Sequence, residues 1–285
     1  MRKALLLLLV FHVFARPLPA AETVVQIGDT AISVPAPKGF TPVTKDMARL
    51  NQLLETFVPP DNVRFVTFIP EESLSALQAG QIPNLSRTFS LQTNKKVVTR
   101  TMTTSDFSEF KATVREQNDA IVKEAESKIP GLMEKVNQSL QGQFNTKMDM
   151  SLNGLVPLPP HAESDRSLAF SMLVNLTMMT ADGQRTNLPG VVTTTYLHAR
   201  GKLFFTYVYG GEKDLEWSRQ VSKEWTAALL AANPSDDTTL AKESAGSGGF
   251  DWTQVFRSAL VGGLIGGTFG LFGYLFKRFK RKAAE

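Results

Sequence analysis

The chain has 285 residues and a formal net charge of +4, but the positive charge is concentrated at its two ends. The segment 22–252 holds 22 basic and 26 acidic residues, so it lacks the basic excess that is typical of nucleic-acid-binding domains. Cysteine is absent, which excludes disulfides, thiolate metal ligands and a cysteine nucleophile.

The first 21 residues have the layout of a secretory signal peptide. Arg2 and Lys3 precede the mostly apolar stretch 4–15, and small residues follow at 20 and 21. That stretch is too short to cross a bilayer. We therefore expect the following domain to be exported, with cleavage near residue 21; if the segment is retained, the protein has two membrane attachments.

The segment from residue 23 to residue 93 predicts strands around one helix. Two short strands are expected over 23–34, and prolines over 35–42 then interrupt strand pairing. Apolar residues at helical spacing predict a helix over 46–57. A β-branched and aromatic run predicts a central strand over 63–69, and alternation predicts a half-buried strand over 87–93.

The longest helical region is predicted from Ser105, as its cap, to Phe144, with an interruption at Pro130. Its apolar residues recur at spacings of three, four and seven, which indicates a bent pair of amphipathic helices lying on a sheet. We interpret the apolar stripe as core packing. A partner-binding face is the alternative.

The segment from residue 155 to residue 232 is rich in strands. A stiff connection at 155–160 leads to a strand over 167–179, then to a hairpin with strands 190–199 and 203–209. A closing helix is predicted over 212–232. The aromatic residues of this region either belong to the core or line a ligand cleft: Tyr196, Phe204, Phe205, Tyr207, Tyr209, Trp217 and Trp225.

The last apolar run predicts a membrane anchor. Residues 258–276 include 19 uncharged residues, and a helix of that length spans roughly 28 Å, close to the bilayer core. We predict an exported domain over 22–232, a flexible linker over 233–252, a transmembrane helix over 253–276 and a cytoplasmic tail over 277–285. The basic residues of the tail set this orientation: Lys277, Arg278, Lys280, Arg281 and Lys282.

Glycine recurs at every fourth position of the predicted anchor, at Gly262, Gly266 and Gly270. On a helix these residues form one narrow ridge, a glycine zipper, which allows another backbone to approach closely. We expect the ridge to mediate association with a second copy or with another membrane protein. The alternative is that glycine is simply frequent in transmembrane helices.

Residues typical of catalysis are sparse. His161, Glu163 and Asp165 form the one local cluster of candidate ligands, while His198 is expected to be an ordinary surface histidine. No Gly-x-Ser-x-Gly or phosphate-binding glycine motif occurs. We therefore predict no catalytic residue, no metal and no cofactor, and we keep a hydrolase with a site near His161 as an alternative.

The order of elements, with the segment Val34-Pro35-x-Pro37-x-Gly39-Phe40, resembles the PsbP-like and DcrB-like α/β sandwich over residues 24–232. The helical segment 105–144 departs from the compact versions of that fold. The resemblance implies a non-enzymatic accessory or binding module.

These observations predict an α+β protein, with an antiparallel sheet packed by amphipathic helices and one C-terminal transmembrane helix. We expect a single-pass protein of the bacterial inner membrane, with its domain in the periplasm or outside. Its expected role is to bind a protein partner or an envelope ligand, without nucleic acid, and to assemble through its membrane helix. A hydrolase and a carrier of lipids or small hydrophobic molecules are the alternatives.

Overall fold

The computed structural model describes residues 23–79, 81, 85–144, 148–180, 183–234, 252–263 and 266. An N-terminal hairpin joins β1 (Thr23–Ile27) to β2 (Thr30–Val34), with Thr23 opposite Val34. Gly28 lies in the turn with a φ of +61°, a conformation that favours glycine. The predicted hairpin around Gly28 is confirmed.

An eight-stranded antiparallel sheet forms the centre of the molecule. Its strand order is β3-β4-β5-β10-β9-β8-β6, and β7 also pairs with β8. The strands are β3 (Phe40–Pro42), β4 (Asn62–Pro70), β5 (Thr88–Asn94), β6 (Met148–Pro157), β7 (Ala162–Ser164), β8 (Ser167–Thr180), β9 (Arg185–Ala199) and β10 (Lys202–Gly211).

Helices cover both faces of this sheet. They are α1 (Ala48–Thr56), α2 (Leu74–Gln78), α3 (Thr104–Phe144), α4 (Leu215–Ala232) and a C-terminal helix, α5, over 252–263. The fold is α+β, with an antiparallel sheet and helices, as predicted. Within the described residues, no helix combines the length and the apolar character needed to cross a membrane.

Two hydrophobic cores lie on opposite faces of the sheet because neighbouring strand residues point in opposite directions. In β10, Phe204 packs with α4 and the β1-β2 hairpin, while Phe205 packs with α1, α3 and α5. Trp225 of α4 meets Phe68 and Phe89 edge-on, with ring centroids 5.8 and 5.3 Å apart. Because side chains alternate in direction along β10, its neighbouring aromatic residues belong to different cores.

The helix α3 differs from its prediction in two respects. It runs as one helix with Pro130 inside it, and the buried Ile129 and Met133 on either side hold both halves against the same core. The cap is formed by Thr103 rather than Ser105. The Thr103 hydroxyl accepts a bond from the Asp106 amide at 3.1 Å, and the Asp106 carboxylate accepts one from the Thr103 amide at 2.8 Å.

Several strand predictions also require correction. The proline-rich segment contains the short strand β3, and the predicted stiff connection overlaps the end of β6 at Pro157. The strand β5 is buried on both faces because helices or the hairpin cover each side. His198 is 1% exposed rather than on the surface. Its Nε2 donates a hydrogen bond to the Met102 carbonyl oxygen at 2.8 Å, and Phe107 stacks on its ring.

Candidate functional site

A cavity of about 650 Å³ lies between the second half of α3 and the strand β6. Its buried apolar wall includes Ile129, Met133 and Met150, and the partly buried Leu152 and Leu155 extend it. We call this cavity the α3–β6 groove. Its size and its apolar wall suit a ligand of several residues or a small organic molecule.

The strand β6 lies at the edge of the sheet. Among the described strands it pairs with β8 alone. Its Met150 amide donates to Asn137 Oδ1 at 2.9 Å, and Asn137 Nδ2 donates to the Met150 carbonyl oxygen at 3.0 Å. Asn137 thus takes the place of a strand partner at Met150, so this edge of β6 offers backbone hydrogen bonds toward α3.

The charged residues that line the groove are all acidic. Glu126 and Glu134 project from α3, and Asp149 lies on β6, where its carboxylate also accepts a bond from Asn137 Nδ2 at 2.8 Å. No lysine, arginine or histidine belongs to the described lining. The groove therefore combines an apolar wall, a strand edge with no second strand partner among the described strands, and a negative rim.

The C-terminal helix α5 packs on the sheet face opposite α4. Its apolar residues are buried in the same core as α3: Trp252, Val255, Phe256, Ala259, Leu260 and Val261. Tyr207 Oη donates to the Ala259 carbonyl oxygen at 2.7 Å. Asn62 Nδ2 donates to the Ser258 carbonyl oxygen at 3.3 Å. The first part of the predicted anchor thus makes specific contacts with the domain.

The glycines Gly262 and Gly266 face tyrosine side chains of β10. A Cβ at Gly262 would lie 2.7 Å from Tyr207 Oη, and a Cβ at Gly266 would overlap Tyr209 Oη. The lack of a side chain is therefore required for this close approach. Gly270 and the basic tail, Lys277, Arg278, Lys280, Arg281 and Lys282, lie outside the described residues, so the predicted membrane-helix association stays a prediction.

The aromatic residues of the hairpin and α4 lie in the two cores. Tyr196, Phe205, Tyr207 and Tyr209 lie on the side of α5, whereas Phe204 and Trp225 lie on the side of α4, with Trp217 packed at its border. In this structure α5 covers the first group. Any ligand at that face would have to replace α5.

The cluster around His161 is divided by the fold. Lys111 Nζ donates to the Glu163 carboxylate at 3.0 Å, and Arg115 also forms an ion pair with Glu163. The hydrogen bond from Arg115, and to a smaller extent that from Lys111, holds the pKa of Glu163 below its usual value. His161 instead lies near Arg219 and Glu216 of α4. Burial, and then Arg219, lowers the pKa of His161 to about 4.

The structure therefore does not bring His161 and Glu163 together as a catalytic pair. Asp165 is exposed in the turn between β7 and β8. Within the described part of the chain, no group of three His, Asp or Glu residues is placed to hold a metal ion. The α3–β6 groove was missed by sequence reasoning because β6 itself was not predicted.

Comparisons with known proteins concern the fold. No family model matches the chain, and no curated protein matches it. A search of solved structures finds the solution structure of cyanobacterial PsbP (CyanoP) from Synechocystis sp. PCC 6803, at 13% identity and a TM-score of 0.29, over 71% of this chain and 88% of that one. The chain thus has a weak, fold-level resemblance to PsbP-like domains, as predicted.

Proposed function

We propose that the protein is a membrane-tethered extracytoplasmic binding module whose α3–β6 groove takes an extended segment of a protein partner. The observation that supports this most is the position of β6 at the end of the sheet, with no second strand partner among the described strands, beside a cavity of about 650 Å³. An extended peptide can add to such an edge through main-chain hydrogen bonds. Binding of this kind needs no catalytic residue.

The lining indicates the chemistry of the partner segment. Alternate side chains of an added strand point to opposite sides, so one set would meet the apolar wall at Met133 and Leu152. The other set would lie near the carboxylates of Glu126, Glu134 and Asp149. We therefore propose a segment that alternates apolar and basic residues.

The tether is proposed from the sequence. The signal-peptide layout, the uncharged run 258–276 and the basic residues that follow it favour an inner-membrane protein with its domain outside the cytoplasm. The glycine ridge would allow this helix to assemble with a second copy or another membrane protein.

The experiment uses the full chain in nanodiscs of neutral lipid and two labelled ten-residue peptides, one alternating Val and Lys, the other Val and Glu. We expect the Lys peptide to bind and the Glu peptide to bind at least tenfold more weakly, since its charges would be repelled by the groove. Empty nanodiscs serve as the control for binding to lipid.

Glu134→Lys reverses one charge of the groove and should weaken binding of the Lys peptide on the order of tenfold. Glu116→Lys is the matched control, because Glu116 is an exposed residue of the same helix that does not line the groove. Equal binding of both peptides, or equal losses in the two variants, would refute the proposed site.

A further inference from the structure

The sheet face beneath α5 fits one particular helix closely. Beyond its apolar contacts, this face holds α5 through Tyr207 Oη on Ala259 and Asn62 Nδ2 on Ser258. In the turn after β5, Lys96 Nζ also donates to Gln254 of α5 at 2.6 Å. Polar contacts at three points along the helix fix its position along its axis. A general hydrophobic contact would not require them.

Buried polar groups on the sheet also face the glycines of this segment. Tyr209 is 4% exposed and Thr194 is 0% exposed, and among the described residues neither hydroxyl has a hydrogen-bond partner. A Cβ at Gly263 would lie 3.1 Å from Thr194 Oγ1, and one at Gly266 would overlap Tyr209 Oη. The face is therefore shaped for a helix whose own contact surface has no side chains at these points.

The docked position is incompatible with crossing a membrane. The uncharged run covers 258–276, and 258–263 and 266 lie on the domain in this structure. The remainder, 267–276, would be only about 15 Å long as a helix, against about 30 Å for the bilayer core. The same residues can be docked or can span, but not both at once.

We infer that this sheet face is a binding site for the chain's own C-terminal helix, which exchanges between the domain and the bilayer. The inference rests on the proposed membrane tether. Insertion of the helix would expose Phe205, Tyr207 and Tyr209, and docking would cover them again and withdraw the anchor. The domain and the membrane thus compete for one segment.

Disulfide trapping in the full chain tests this inference, and the absence of native cysteine makes the readout clean. A Cβ at Gly263 would lie 3.1 Å from Thr194 Oγ1, so Thr194→Cys with Gly263→Cys brings the two side chains into contact, as a disulfide requires. Thr195→Cys with Gly263→Cys is the matched control, because the Thr195 hydroxyl faces Ser222 of α4 at 2.8 Å. Membranes that contain the variant are oxidised and then extracted with alkaline carbonate. The disulfide-linked and unlinked chains in the released and retained fractions are then measured by mass spectrometry of their peptides.

We expect the Thr194 pair to form the intramolecular disulfide at least tenfold more than the Thr195 pair. Linked chains should be released by carbonate and unlinked chains retained. Equal linking of the two pairs would overturn docking, and linked chains that resist carbonate would overturn the exclusion between docking and spanning. A chain that links fully and is never retained by membranes would support docking while refuting the tether.

A second variant covers the case in which the cysteines disturb packing. Gly262→Leu would place its side chain against Asn62 and Tyr207 and should shift the chain toward the carbonate-resistant fraction. Gly142→Leu is the control, since no atom lies within 4 Å of a Cβ at that glycine of α3. An unchanged distribution in Gly262→Leu would contradict the inference.

Discussion

Asn233 closes the folded domain onto its N-terminal hairpin, and Asn233→Ala tests this role. Its side chain is 0% exposed and makes three hydrogen bonds. Oδ1 accepts from the Ser33 amide at 2.9 Å, and Nδ2 donates to the carbonyl oxygens of Ser33 at 2.7 Å and Leu229 at 2.9 Å. At about 1 kcal/mol net for each bond, the substitution should lower the free energy of unfolding by about 3 kcal/mol.

The assay is urea unfolding of the full chain in detergent, followed by tryptophan fluorescence. Asn233→Asp should be at least as destabilising as Asn233→Ala, because it places a carboxylate oxygen against the carbonyl oxygens of Ser33 and Leu229 in a fully buried site. Asn175→Ala serves as the control at an exposed position of β8 and should change stability by less than about 0.5 kcal/mol. If Asn233→Ala lowered the free energy of unfolding by no more than the control Asn175→Ala does, the role of Asn233 would be refuted, and a domain that ends at residue 232 would be favoured.

Two further predictions concern stability. The pKa of His161 is lowered to about 4 in the folded protein, below its usual value near 6.5, so the unfolded chain binds more protons between these values and stability falls as the pH drops through this window. In His161→Gln the free energy of unfolding, measured in urea at pH 7 and pH 4.5, should decrease less between these pH values than in the wild type. An equal decrease in the wild type and the variant would contradict this prediction. Gly28→Ala should cost about 1–3 kcal/mol, because φ is +61° and a Cβ would overlap the Val98 carbonyl oxygen. Gly39→Ala should lower the free energy of unfolding less in the same assay, because φ is +79° there but no atom lies within 4 Å of an added Cβ. Equal losses in the two variants would rule out the clash with Val98.

Local signals were sufficient for the elements that are built from near neighbours. The β9-β10 hairpin was predicted from a turn whose Arg200 and Gly201 both have positive φ, at 50° and 73°. By contrast, β6 contains Asn153 and Gly154, which disfavour a strand locally, and its pairing with β8 and Asn137 overrides that preference. Pro130 likewise remains within α3 because burial on both sides favours one continuous helix.

The candidate sites depended on contacts distant in sequence, and these could not be predicted. Glu126 and Asp149 line one groove only because α3 packs beside β6. The spacing of Gly262 and Gly266 predicted a close approach, but the spacing alone did not identify Tyr207 and Tyr209 as residues they contact. His161 and Glu163 lie two positions apart in the sequence, but they interact with different helices, α4 for His161 and α3 for Glu163.

Hydrogen exchange tests most directly whether the edge of β6 binds an extended segment. The amides of 148–157 are measured in the full chain with and without the Val–Lys peptide. We predict slower exchange at the amides of β6 that point toward α3, with no change in β10 at the centre of the sheet. Unchanged exchange over 148–157 at saturating peptide would contradict the account.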